Sequence, residues 1–182
     1  MASNRKLRLL GLESFSFWCA KRLLEFHPEW LPSAGSEESE LKGLPVKTLV
    51  IRLPSQNSRV PDPLTISVDL QRIVMVSWFP MFDRGPWHID WVTYFKLRSE
   101  SESWDDGYAG IDRISEFLDR FFNEELVAIC TDDGAGQVKT SGVISIDEIR
   151  SGEFKRGKAT TWIRSWQGSF DQTLQAIGPR NS

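Results

Sequence analysis

Histidine and cysteine are scarce in this chain, with two of each among 182 residues. His27, His88, Cys19 and Cys130 lie far apart, and no Cys-x-x-Cys spacing occurs. A zinc site needs three or four such ligands at workable spacing, so no metal is expected. The cysteines read as two small buried thiols. Phosphate-binding loops are missing as well. Gly134-Ala135-Gly136 lacks the Gly-Lys-Ser/Thr ending of a P-loop and reads as a hairpin turn. There is no Gly-x-Ser-x-Gly elbow, and Asp132-Asp133-Gly134 lacks the alternating oxygen ligands of a calcium loop. No cofactor is expected. No apolar run reaches the length of a membrane span, and the basic stretch Met1 to Leu12 is too interrupted for a signal peptide. A cytoplasmic protein without a membrane partner is therefore expected.

Surplus positive charge is also lacking. The net charge of −3 provides no nucleic-acid footprint, and no nucleic-acid partner is expected. The charge is unevenly spread: residues 99–133 hold eleven Asp and Glu against two Arg. What the chain has in quantity is aromatic area, with eight Trp and eleven Phe, and each large ring buries roughly 150–250 Å². At this length a sizeable core is within reach, and a single domain over residues 1–182 is expected.

Along the chain, Phe15, Trp18, Cys19, Leu23, Phe26 and Trp30 recur at three- and four-residue steps, predicting a helix over 13–31. Ser14 or Ser16 is placed to cap it, and Pro28 is expected to break its last turn at His27. Residues 32–44 are polar and acidic and read as an exposed loop. The remaining body, 45–178, reads as strands at 45–53, 64–70 and 72–79, then a fourth from Trp87, together an antiparallel meander. An acidic loop over 99–110 is expected to lead into a helix over 111–122 with the stripe Ile111, Ile114, Phe117, Leu118, Phe121 and Phe122. A strand at 126–131 pairs back through 137–146. A basic loop follows over 147–157, then a strand at 159–166. The latter is expected to share a sheet with Trp87 to Leu97, because its alternating aromatics need a covered face. Ser169 and Gln172 fit a capping box, predicting a short terminal helix. The fold class is α+β: a mostly antiparallel sheet of six to eight strands packed by two main helices.

Two constellations carry candidate chemistry. In Trp87-His88-Ile89-Asp90-Trp91, strand alternation puts His88 and Asp90 on one face, where a carboxylate orients an imidazole as a general base requires. Read as catalytic, the pair suits a small hydrolase or nuclease-like enzyme. Read as structural, it is a hydrogen-bonded pair on the sheet. The second constellation is acidic: Trp104, Asp105, Asp106, Asp112, Glu116 and Asp119 are expected on one exposed surface, an aromatic anchor with a charged rim. Asp112 and Glu116, like charges four apart, disfavour the helix by roughly 0.2–0.5 kcal/mol, while Glu116 is placed to pair with Arg120. A third reading takes the tryptophans as walls of a small-molecule site in a regulatory domain.

The motif Trp87-His88-Ile89-Asp90-Trp91 and the later Arg164-Ser165-Trp166-Gln167-Gly168-Ser169-Phe170-Asp171, with a helix, strand and Gly-turn hairpin between them, resemble a recurrent set of small bacterial domains that includes immunity proteins of polymorphic toxin systems. The resemblance covers roughly residues 65–171 and carries no functional residue across. It implies a non-enzymatic protein that binds and neutralises a toxin. An acidic face would suit a partner with a basic surface, such as a nuclease whose cleft normally holds phosphates.

Overall fold

The computed structural model describes all residues except 1, 61, 71–72, 79–90, 97–103, 133–137, 153, 155–159 and 176–182; for 2–4, 91–96, 104–109, 132 and 138–141 it describes the backbone alone. The fold is α+β, as the alternation and helical spacing predict. Its strands form two sheets, one of five strands in the order β1-β2-β3-β4-β5 and one of four in the order β7-β6-β8-β9. The chain falls into two compact units. The first comprises Met1–Leu53, Pro63–Ser77 and Val92–Phe117; the second comprises Pro54–Asp62, Trp78–Trp91 and Leu118–Ser182.

The first unit opens with α1 (Ala2–Leu9), pinned by the buried Leu7 and by Lys6, whose Nζ donates to the Leu31 carbonyl at 2.6 Å. Then comes α2 (Ser14–Phe26). Its N-cap is Glu13, not a serine: the carboxylate accepts from the amide of Phe15 at 2.7 Å and from that of Ser16. A carboxylate there meets the positive end of the helix as well as its orphan amides. The helix ends at His27, as the following Pro28 dictates, and a 3-10 turn runs from Pro28 to Ser33. His27 is buried, stacked on Trp30 with ring centroids 3.7 Å apart, and its Nδ1 lies 3.4 Å from Glu29 Oε1.

The expected acidic loop over 32–44 is instead β1 (Ala34–Leu41), paired in full with β2 (Leu44–Leu53). The reason is the two-residue turn Lys42-Gly43, with φ of 53° and 80°. Two left-handed residues give the twist that closes a tight hairpin, and the glycine adopts it without strain. Polarity here reflects an exposed strand, not a coil. β3 (Leu64–Val68) and β4 (Ile73–Trp78) form the next hairpin, in which Asp69 Oδ1 accepts from the Ile73 amide at 2.8 Å. Leu64, Ile66, Val68, Val74 and Val76 are buried on one face. β5 (Trp91–Lys96) flanks β4. The meander therefore holds, one strand longer at its start than expected.

Helix α3 (Trp104–Phe122) begins well before Ile111, so much of the expected acidic loop is helical. Ile111, Ile114, Leu118 and Phe121 are buried at the predicted three- and four-residue steps. The second unit continues with β6 (Leu126–Asp132), β7 (Val138–Ser145), α4 (Ile146–Arg150), β8 (Thr161–Arg164) and β9 (Gln172–Leu174). Three sequence readings change here. The basic loop after 146 starts as α4, capped by Ser145 and Glu148 in a capping box. The strand β8 pairs with β6 and β9 in the four-stranded sheet, not with the strand that follows Trp87. Its aromatics find cover elsewhere: Trp162 packs on Cys130, and Trp166 joins Trp78, Phe121 and Phe122 in a cluster with centroids 5.0–6.3 Å apart. Finally, no helix starts at Ser169; β9 takes its place.

Candidate functional site

His88 and Asp90 lie outside the described residues, as do the side chains of Trp104, Asp105 and Asp106. The backbone of the last three belongs to the first turn of α3. Seven residues, close to two helical turns, separate Asp105 from Asp112 and Asp112 from Asp119, so these positions stay in line along the helix. Of the six residues expected on one surface, only Asp112, Glu116 and Asp119 have described side chains.

Asp112 is taken by Arg22 of α2: Nη2 lies 2.9 Å from Oδ1 and 3.2 Å from Oδ2, and Nε lies 3.1 Å from Oδ1. This fork-on-carboxylate geometry is what a guanidinium does best. The same guanidinium reaches Glu25 Oε2 at 3.1 Å and lies 4.5 Å over the Phe26 ring. Asp112 is therefore a structural residue first. Glu116 and Asp119 are exposed. Arg120 does not pair with Glu116; it meets Glu125 at 3.3 Å.

Among the described residues, the most extensive polar constellation is one that the sequence does not single out. It is the loop 165–171, held by Asn57, Glu124 and Asp171. Asp171 Oδ1 accepts from the Ser165 amide at 2.9 Å and from Asn57 Nδ2 at 3.0 Å. Asn57 Nδ2 also donates to the Ser165 carbonyl at 2.8 Å, and Asn57 Oδ1 accepts from the Arg59 amide at 2.9 Å. Arg164 is buried beside them, donating from Nη1 to the carbonyls of Ile163 at 2.9 Å and Gln172 at 3.0 Å, with Nε 4.0 Å from Asp171 Oδ2. From the other side Glu124, itself in a left-handed conformation with φ of 58°, accepts through Oε1 from the amides of Gln167 at 2.7 Å and Ser169 at 3.4 Å. Burial pushes the Glu124 carboxyl up, but the hydroxyls of Ser165 and Ser169 and these two amides outweigh it and hold the group below its ordinary range.

Chemically this is a clasp. A general base must aim a free lone pair at a substrate. Here the carboxylates of Glu124 and Asp171 aim at amides and hydroxyls of the loop itself. They fix the second resemblance motif, Arg164 to Asp171, in one shape. The only local signal in that motif was the Ser169–Gln172 spacing, which suggested a helix cap. Asn57 and Glu124 stand too far away in sequence to be read with it. Cys19 and Cys130 are both buried free thiols, and burial together with the nearby Glu13 raises the Cys19 thiol far above its ordinary range. Among the described residues there is no group of three or more His, Cys, Asp and Glu close enough to hold a metal ion, and no helix long and apolar enough to cross a membrane. Comparison with protein-family models, curated proteins and solved structures finds no match to this chain.

Proposed function

We propose that this chain is a non-enzymatic protein-binding module for a partner with a basic surface, of the kind exemplified by toxin-neutralising immunity proteins. The observation that supports it best is the exposed acidic face of α3. Ile111, Ile114, Leu118 and Phe121 are buried, Asp112 is held by Arg22, and Glu116 and Asp119 stay exposed in the most acidic part of the chain. Exposed like charges on a helix are mildly unfavourable for folding. They raise the rate at which a basic partner is met. Buried free thiols fit the reducing cytoplasm that this reading assumes. No cofactor and no nucleic acid enter it.

The test is association of the purified chain with the product of the neighbouring gene, followed at low and high salt. The expected result is a complex whose association rate falls as salt shortens the screening length to about 8 Å and below, and falls again in a Glu116→Lys, Asp119→Lys double variant. No complex, or a complex whose rate ignores both salt and the reversal, would overturn the reading.

A further inference from the structure

The strand β1 forms an open edge of the five-stranded sheet, and its backbone directions follow from the hairpin. A two-residue turn with both φ values positive is closed by a hydrogen-bonded pair, here Leu41 and Leu44. Hydrogen-bonded and non-bonded pairs then alternate along the ladder. Ser39, Glu37 and Gly35 face inward to β2. Glu40, Glu38 and Ser36 turn their N–H and C=O groups away from it. The register has an internal check: Lys47, the partner of Glu38, must also point away from the ladder, and its carbonyl accepts from the Glu13 amide at 2.8 Å. So the far side of β2 is covered by Glu13 at that point, and β3 covers Val50 to Leu53. Among the described residues no backbone bond reaches Ser36, Glu38 or Glu40 from outside.

The side chains around this edge are equally uncovered. Residues 37–47 are exposed or half-buried throughout, so neither face of this part of the hairpin is packed. A two-stranded ribbon without a covered face is marginal on its own. It nonetheless carries two large apolar side chains at its tip, Leu41 and Leu44, 44% and 67% exposed. Glu38, Ser39, Glu40, Gly43 and Pro45 line a shallow depression beside them.

The charge pattern selects the occupant. Strand β1 carries Glu37, Glu38 and Glu40 and no base. Glu37 is engaged by Arg52. Glu38 stands across from Lys47, and Glu40 across from Pro45. A second copy of β1 laid antiparallel against the first would set glutamate near glutamate, which is unfavourable across a ladder. A strand with bases opposite Glu38 and Glu40 would instead extend the row of alternating sign that Lys47 and Glu38 begin. Its intervening side chains would fall on the other face, the one that carries Leu41 and Leu44.

We propose that the outer edge of β1, from Ser36 to Glu40, is a strand-addition site for an extended segment of a partner protein in which Lys or Arg alternates with apolar residues. The backbone groups of Ser36, Glu38 and Glu40 supply the ladder, Glu38 and Glu40 select the bases, and Leu41 and Leu44 cover the apolar side chains. This surface is distinct from Glu116 and Asp119 and does not depend on them.

The probe is the peptide acetyl-Thr-Lys-Val-Lys-Val-Thr-amide, with a control methylated at both lysine backbone nitrogens, which keeps charge and composition but removes the ladder donors. Titrated into the full chain, the unmodified peptide should slow amide exchange at Ser36, Glu38 and Glu40, and the control should bind roughly tenfold more weakly. Glu38→Pro should cost a similar factor, because its missing N–H points outward and the β1–β2 ladder is untouched; Glu38→Lys with Glu40→Lys should do the same without altering the backbone. Glu116→Lys with Asp119→Lys should leave peptide binding unchanged. Equal binding of the methylated control would reduce the contact to charge attraction and overturn the proposal. Absence of protection at the three amides would also overturn it, as would protection without peptide that grows with protein concentration, which would assign the edge to a second copy.

Discussion

Arg22 of α2 holds Asp112 of α3 through three N–H···O contacts of 2.9–3.2 Å, ninety residues apart in sequence. An acidic residue that composition assigns to a binding surface is thereby also a clamp between two helices. The two roles separate energetically. The side chains are 26% and 45% exposed, so solvent screens the pair and its worth is modest. A double-mutant cycle of Arg22→Ala and Asp112→Asn, read by urea unfolding, should give a coupling of about 0.5–1 kcal/mol. Arg22→Ala alone should cost more than Asp112→Asn, since it also removes the cation from the Phe26 face. Zero coupling would remove Asp112 from the fold and return it to the acidic surface.

The clasp around residues 165–171 predicts a steeper hierarchy. Asp171→Ala would leave Arg164 without its carboxylate and strip acceptors from Asn57 and Ser165, all buried. Breaking a buried pair from one side costs about 3–5 kcal/mol. Asn57→Ala, which orphans neutral groups, should cost about 1–3 kcal/mol. Gly168→Ala should also destabilise, because Gly168 has φ of 84° and a Cβ there would meet Asn57 at 3.4 Å. Replacing Arg164 and Asp171 together by Met and Leu should recover part of the single-variant loss. Unfolding midpoints for the four variants decide the order, and an Asp171→Ala variant as stable as the parent would show that the clasp contributes nothing.

How much of this was legible depended on range. The helices and most strands follow from local periodicity: the Ile111, Ile114, Leu118 and Phe121 stripe is buried as spaced. Local rules misread residues whose side chains are engaged at a distance. Ser169 and Gln172 satisfy the spacing of a helix cap, but the Ser169 amide is turned toward Glu124, forty-five residues earlier, and β9 forms instead. Glu37, Glu38 and Glu40 look like a solvated loop, because alternation is invisible when both faces of a strand are exposed. Only Lys42-Gly43 marked the turn. The Ser145–Glu148 capping box was legible and was masked by the basic residues after it.

The thiols give a chemical prediction. Cys19 and Cys130 are buried, and the Cys19 thiol is pushed up by burial first and by Glu13 second. The thiolate is the reactive form, so both should resist alkylation in the native state at mildly alkaline pH. Two equivalents should label once the chain is unfolded in denaturant, without added reductant. Rapid native labelling of Cys19, or fewer than two sites after unfolding, would contradict the buried, unlinked state.

Glu124 makes stability depend on acid in a defined direction. Its folded pKa lies below the ordinary value of 4.5, because the Ser165 and Ser169 hydroxyls and the Gln167 and Ser169 amides favour the charged form more than burial disfavours it. A depressed carboxyl binds more protons unfolded than folded in the window between the two values. Its stabilisation is therefore complete above about 4.5 and drains away as pH falls from there through the folded value. Glu124→Gln keeps an acceptor for the Gln167 amide but cannot titrate. The parent should lose unfolding free energy more steeply than this variant between neutral pH and about pH 3, and the gap between them should narrow on the acid side. Urea midpoints across that range read the difference directly. Parallel curves would mean that the charge on Glu124 has no part in holding residues 165–171, leaving Asn57 and Asp171 as the whole of the clasp.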